Sequence, residues 1–266
     1  MQPLKNAMKR HLPRGVLRLC RTLINYWGYM KVRKNFEGND VYCICCGRYF
    51  KKFARTNFSA KYYNLDFFKD NQDTRCPYCK SWPRHRIVCD YLEKNPLPQN
   101  ASILVFAIPY AYRVWFKRNK LKLISADLFD RTADRKVDIL NTPFSDNEFD
   151  FISCDHVLEH VPDYHAALRE LFRITKQGGI VALTVPLLEK LEQTHEDETI
   201  TTIPDRVRVF GQHDHVRVFG MDFYTAITDV GFDLSIHDGD KCDKKLAPLT
   251  APANYDYNKV FISKKP

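Results

Sequence analysis

From Ala101 onward the chain repeats one unit, a short apolar run followed by a stretch of helical periodicity. That alternation limits the fold more than any other feature. Residues 102–107, 121–126, 137–139, 150–154, 180–185, 232–237 and 259–263 read as strands. Residues 109–119, 164–175 and 222–230 read as helices, the second closed by Gly178-Gly179. Residues 187–218 read as a charged loop bearing histidines. A helix between two strands returns the chain to run in the same direction. The expected class is therefore α/β, a doubly wound, mostly parallel seven-stranded sheet over residues 99–266. Ligands of such sheets sit outside the carboxyl ends of the strands.

Acidic residues stand at two of those ends, Asp127 after the second strand and Asp138 after the third. An acid after the second strand suits ribose hydroxyls. One a strand further suits the exocyclic amine of an adenine. Caps and turns also favour Asp, but the pair on adjacent strands points to an adenosine ligand. The fourth strand runs into Cys154, Asp155, His156, Glu159 and His160, with four ionisable groups in six residues.

Residues 37–98 differ in kind. They contain two Cys-x-x-Cys pairs, Cys43 with Cys46 and Cys76 with Cys79. Each pair can turn two thiolates toward one ion, and two pairs complete a closed tetrahedral zinc site. The alternative is four buried reduced thiols. Cys45 is an extra thiol able to stand in for a neighbour, and residues 49–73 must form an arm between the pairs. Residues 84–94 read as a helix joining this module to the sheet. No secretory h-region or membrane-spanning run is recognisable, so a reducing cytoplasmic setting and a metal site are expected, not a disulfide framework.

The net charge of +9 also has an address. Residues 1–36 carry nine basic residues and no acid, which leaves 32 basic against 32 acidic residues elsewhere. Within them, residues 13–27 read as an amphipathic helix, with Leu12, Val16, Leu19, Cys20, Leu23, Ile24 and Trp27 on one face and Arg14, Arg18 and Arg21 on another. Three uses are open to it. Its apolar stripe can pack on the body with the arginines solvated, it can lie in an anionic membrane interface, or it can touch nucleic acid. Packing comes first. The neutral body argues against a broad nucleic-acid footprint.

The order of these features resembles the class I S-adenosylmethionine-dependent methyltransferases. The resemblance rests on Ser125-Ala126-Asp127-Leu128, Val137-Asp138-Ile139, Asp146-Asn147-Glu148-Phe149-Asp150, His156-Val157-Leu158-Glu159-His160 and Lys176-Gln177-Gly178-Gly179. It covers about residues 100–265. A closer resemblance is to bacterial methyltransferases with an N-terminal cysteine module, through Cys43–Gly47, Cys76–Cys79, Arg84-His85-Arg86 and Phe210–Arg217. It implies a Rossmann-like fold with a small zinc-binding module and S-adenosyl-L-methionine as cofactor. Phe106, Ala107, Ile108, Asp127, Leu128, Asp138, Ile139, Cys154 and Asp155 would line the cofactor site. Where the superfamily has a glycine-rich turn after the first strand, this chain has Phe106-Ala107-Ile108-Pro109-Tyr110.

Transfer to a hydroxyl needs a base near neutral pKa, and histidine fits. The candidates are His156, His160, His213 and His215. Glu159 or Asp214 would orient an imidazole, and Asp214 and Arg217 would hold substrate. Two histidines and a carboxylate also make a metal site. The expected function is O-methylation of a small-molecule or glycan acceptor, including a lipid-linked sugar, with peripheral membrane contact through residues 1–36. Its rivals are an RNA methyltransferase using the zinc module and basic arm, and a non-catalytic zinc-bearing binding protein.

Overall fold

A computed structural model describes residues 12–55, 59–64, 73–243 and 258–266. Lys5, Lys9 and Arg10 of the basic segment, and much of the expected arm between the cysteine pairs, lie outside these residues. The cysteine module holds four short strands, β1 (Val41–Cys43), β2 (Arg48–Phe50), β3 (Ala54–Arg55) and β4 (Asp73–Arg75), paired as β1-β2 and β3-β4. The body is one seven-stranded sheet. Its strands are β5 (Ile103–Phe106), β6 (Ile124–Asp127), β7 (Arg135–Lys136), β8 (Phe149–Asp155), β9 (Thr175–Thr184), β12 (Asp233–Asp238) and β13 (Lys259–Lys264), in the order β12-β13-β9-β8-β5-β6-β7. All neighbours from β7 through β9 pair in parallel, and β13 is antiparallel to both β9 and β12. The strand order reverses between β5 and β8, which puts the ligand crevice at their carboxyl ends.

Helix α3 (Tyr110–Arg118) connects β5 to β6, and helix α4 (Tyr164–Ile174) shows why the pattern folds this way. Asp163 caps it by accepting the Ala166 N–H at 2.8 Å. Its apolar face, Ala167, Leu168, Leu171 and Ile174, is wholly buried in the core under the sheet. Gly178 and Gly179 do not end this helix as the sequence suggested. They lie inside β9, which starts directly at Thr175. A Cβ on Gly179 would meet the Lys176 carbonyl oxygen at 2.8 Å and the Phe149 carbonyl oxygen at 3.0 Å, so the strand needs glycine to pass β8 there. The third strand falls two residues earlier than expected. The loop of residues 187–218 contains a helix, α5 (Ile203–Phe210), and two short paired strands, β10 (His195–Glu196) and β11 (Arg217–Val218).

The first helix, α1 (Arg14–Val32), reverses the expected orientation. Its arginine face meets the body: Arg18 pairs with Asp134 at 2.7 Å, Arg21 with Asp130 at 2.8 Å, and Arg14 donates to the Asp134 carbonyl. Its apolar stripe faces outward, with Leu19 58 %, Ile24 69 % and Trp27 61 % exposed. The C-terminal end rests on the cysteine module through Tyr29, whose ring meets Tyr78 edge-on at 5.3 Å. Among the described residues, no helix is long and apolar enough to cross a membrane.

These two helices separate by mutation. Leu171→Ala should cost about 3–4 kcal/mol in urea unfolding, as for a large side chain removed from a packed core. Ile24→Ala should leave the unfolding midpoint unchanged.

Candidate active site and metal centre

The crevice is bounded on one side by the turn after β5. Ala107 takes a left-handed φ of +46°, and its N–H bonds the Ala126 carbonyl at 2.9 Å. The turn thus keeps a backbone that glycine normally supplies, at a cost of about 1 kcal/mol for alanine. On the neighbouring edges, Asp127 uses Oδ1 to accept the N–H groups of Phe129 and Asp130, each at 2.7 Å. Asp138 Oδ1 accepts the Leu140 N–H at 3.0 Å, with its side chain exposed. Phe106, Ile139 and Cys154 lie in the apolar core beneath this edge, whereas Ala107 and Leu128 are exposed.

Asp155, the last residue of β8, is buried and held from two sides. Arg84 Nε donates to its Oδ1 at 2.9 Å, and Thr184 at the end of β9 donates to the same oxygen. His85 Nδ1 accepts the Trp82 N–H at 3.1 Å, so its proton sits on Nε2, 2.8 Å from Asp155 Oδ2. Burial alone would raise the Asp155 pKa. The Arg84 cation and then His85 outweigh it and hold the carboxyl well below its ordinary value. Burial pushes His85 the other way, below its ordinary value, against the pull of Asp155. Arg84 and His85 belong to α2 (Pro83–Lys94), so the Arg-His-Arg run fastens the N-terminal module to the site. Its third member faces the other way: Arg86 Nη1 donates to the carbonyls of Thr74 at 3.0 Å and Ser81 at 3.2 Å, over the Phe53 ring. The sequence marked this run but could not show its partner, 71 residues away.

His156 follows with φ +52°, a strained conformation for a residue of its kind. Its Nδ1 lies 2.7 Å from Glu159 Oε1. Glu159 is wholly buried; burial alone would raise its pKa, but His156, then His160 and His215, bring it down to about 2. His215 is also buried, and burial brings its pKa down to about 4. His156, Glu159, His160 and His215 therefore converge: the His160 and His215 rings meet edge-on with centroids 4.9 Å apart. His213 turns elsewhere, packing edge-on against Tyr62 at 5.1 Å. Asp214 is half exposed and takes the Gln212 amide at 2.7 Å.

Arg217 was expected to hold substrate, but its guanidinium is buried. It donates to the carbonyls of Leu158 and Pro162, both at 2.8 Å, and of Val161, and its Nε meets Glu196 at 2.8 Å. It braces the turn of residues 158–162 against the loop carrying His215.

The four cysteines of the two pairs converge, with their Sγ atoms within 4.8 Å of one another. Cys43 and Cys79 are 3.6 Å apart, and Cys46 and Cys76 3.9 Å. A tetrahedron with Zn–S bonds of about 2.3 Å has edges of about 3.8 Å, so the set fits zinc. The two turns are alike: Gly47 (φ +68°) and Lys80 (φ +63°) each follow the second cysteine in left-handed conformation and bond back to the first cysteine's carbonyl, at 2.8 and 3.1 Å. Cys45 is not one of the four; its Sγ lies 3.5 Å from that of Cys89.

Residues 111–183 match the family model described as a methyltransferase domain. Among curated proteins, a demethylmenaquinone methyltransferase of Staphylococcus saprophyticus is 50 % identical over 44 residues, covering 16 % of this chain and 19 % of that protein. One of Staphylococcus epidermidis is 40 % identical over 60 residues, 20 % of this chain and 25 % of that protein. One of Halalkalibacterium halodurans is 34 % identical over 86 residues, 29 % of this chain and 35 % of that protein. The chain thus spans about a third or less of these relatives' lengths. Among solved structures, the [4+2]-cyclase SpnF superposes with a TM-score of 0.50 at 14 % identity, covering 68 % of this chain and 81 % of that one. That likeness concerns the fold.

Asp155→Asn should cost about 3–5 kcal/mol at pH 7, because it leaves Arg84 without its buried partner. A lowered carboxyl pKa stabilises the fold above about pH 4, its unfolded value, and that contribution disappears as pH falls through the folded value. Urea unfolding across pH should therefore show the variant and parent converging only below about pH 4.

Proposed function

We propose that this chain, which carries a class I S-adenosylmethionine-dependent methyltransferase domain, transfers a methyl group to a hydroxyl of a small-molecule or glycan acceptor at an anionic membrane surface. The observation that carries the reading is the convergence of His156, Glu159, His160 and His215 beside the crevice at the switch point. S-adenosylmethionine, when bound, supplies the methyl on a sulfonium.

Asp127 would bond the ribose hydroxyls and Asp138 the adenine amine, while the backbone from Phe106 to Ile108 would border the methionine part. Asp155 contributes rigidity, because its oxygens are already committed to Arg84, His85 and Thr184. His156 is the candidate base. With Glu159 facing Nδ1, the Nδ1 proton is retained and Nε2 is the nitrogen that would accept the acceptor's proton. Neutral His215 would add a second polar wall. We infer that the four thiolates of Cys43, Cys46, Cys76 and Cys79 hold a structural zinc. The names of the curated relatives, which act on demethylmenaquinone, favour a small-molecule acceptor over RNA. So does the use of Arg18 and Arg21 in pairs with Asp134 and Asp130, which removes them from any phosphate-binding face.

The membrane half of the proposal rests on α1. Its arginines anchor it to the body and its apolar residues point outward, next to Lys31, Arg33 and Lys34. That arrangement suits insertion of an apolar stripe beneath anionic headgroups.

Calorimetry with S-adenosylhomocysteine should give binding to the full chain, weakened roughly 10- to 100-fold in Asp127→Ala, the loss of a charge-assisted hydrogen bond. Absence of binding to the folded parent would end the enzyme reading. Separately, the chain should float with liposomes containing anionic lipid, and Leu19→Glu combined with Trp27→Glu should abolish flotation while leaving nucleoside binding intact.

A further inference from the structure

We propose that Glu159, His160 and His215 form a second metal site, for a first-row divalent cation, at the acceptor edge of the crevice. Ligand atoms from the three residues lie within 4.8 Å of one another. Both histidines are oriented as ligands are. His215 Nδ1 lies 3.2 Å from the Phe210 carbonyl, and His160 Nδ1 3.1 Å from the Asp214 carbonyl. A carbonyl only accepts, so each Nδ1 bears the proton and each Nε2 offers a lone pair. An imidazole fixed through its other nitrogen to a backbone carbonyl is the usual arrangement around a bound metal.

The carboxylate supplies the second observation. Glu159 is fully buried; its Oε1 faces His156 Nδ1 at 2.7 Å, and its Oε2 has no hydrogen-bond partner among the described residues. A buried carboxylate oxygen left open is costly, and an ion would satisfy it. His215 Nε2 stands 3.9 Å from Glu159 Oε1. That is too long for a hydrogen bond, but close to the separation of about 3–4 Å expected of two ligands with bonds of about 2.1 Å to one ion. The remaining separations, up to 4.8 Å, would close by small rotations of the partly exposed His160 ring. The scaffold is rigid where it must be. The Val216 N–H bonds the Glu159 carbonyl at 3.0 Å, and Arg217 ties three carbonyls of the same turn to the loop.

Two histidines and one carboxylate suit zinc, manganese, iron or cobalt better than magnesium or calcium, and they leave coordination positions open. An oxygen of the acceptor could fill one, and coordination would lower its pKa. That use rests on the methyltransferase reading; occupancy of the site does not. A different cluster, Asp90, His237 and Cys242, also gathers ligand atoms, but the Lys94 ammonium already lies 2.8 Å from Asp90.

The test is to load the full chain with cobalt(II) after chelation, then count ions per chain and record the absorption spectrum. Relative to the parent, Cys76→Ser should lose one ion together with the thiolate-to-cobalt charge-transfer band. His160→Ala, a partly exposed position that the fold tolerates, should lose one ion and keep that band, and Glu159→Gln should do the same. An unchanged ion count in folded His160→Ala and Glu159→Gln would overturn the proposal. S-adenosylhomocysteine calorimetry on the same samples separates this outcome from failure of the methyltransferase reading, because cofactor binding should survive both variants.

Discussion

The architecture turns on one buried carboxylate. Asp155 ends the central strand β8, and desolvation there would favour its neutral form. Arg84, His85 and Thr184 keep it charged, and they come from a helix outside the sheet and from the neighbouring strand. That group therefore holds the start of α2 at the strand ends, while Asp90 further along the helix pairs with His237 of β12, and α2 carries the cysteine module with it through Arg86. It also fixes the point at which the chain leaves the sheet and turns sharply at His156. A zinc-sized cluster and a crevice more than seventy residues apart in sequence are joined through one helix.

Local periodicity made the sheet legible. Apolar runs such as Ile103–Phe106 and Phe149–Asp155 need little beyond their own pattern to become buried parallel strands, and the stripe on Tyr164–Ile174 announces its helix. The cysteine pairs were equally plain, because ligand spacing is a local property. What stayed hidden depended on distant partners. The α1 stripe looked like a packing face, since nothing nearby says that Asp130 and Asp134 wait for Arg18 and Arg21 more than a hundred residues on. Arg217 looked like a substrate ligand because a lone arginine in a polar loop carries no sign that three carbonyls will surround it. The helix Ile203–Phe210 is only two turns long within a charged segment, too short for its periodicity to stand out.

The site was legible as a list of residues, not as a geometry. His156, Glu159, His160 and His215 meet, while His213 turns toward Tyr62. Two non-glycine residues, Ala107 and His156, take left-handed backbone conformations on the two sides of the crevice. The first shows how a turn without glycine keeps its shape. The second directs an imidazole toward a buried glutamate. Because this fold also occurs in a protein described as a [4+2]-cyclase, the fold alone does not assign chemistry. The assignment comes from which side chains converge at the strand ends.

The central claim is that a nucleoside cofactor sits across the ends of β5, β6, β7 and β8 beside the histidine cluster. Hydrogen exchange of the full, zinc-loaded chain, with and without S-adenosylhomocysteine, tests it most directly. Peptides spanning residues 105–111, 127–130, 137–141 and 154–160 should exchange more slowly with the ligand, while the opposite edge of the sheet at residues 233–238 should be unaffected. Unchanged exchange throughout, or protection confined to regions away from those strand ends, would contradict the claim.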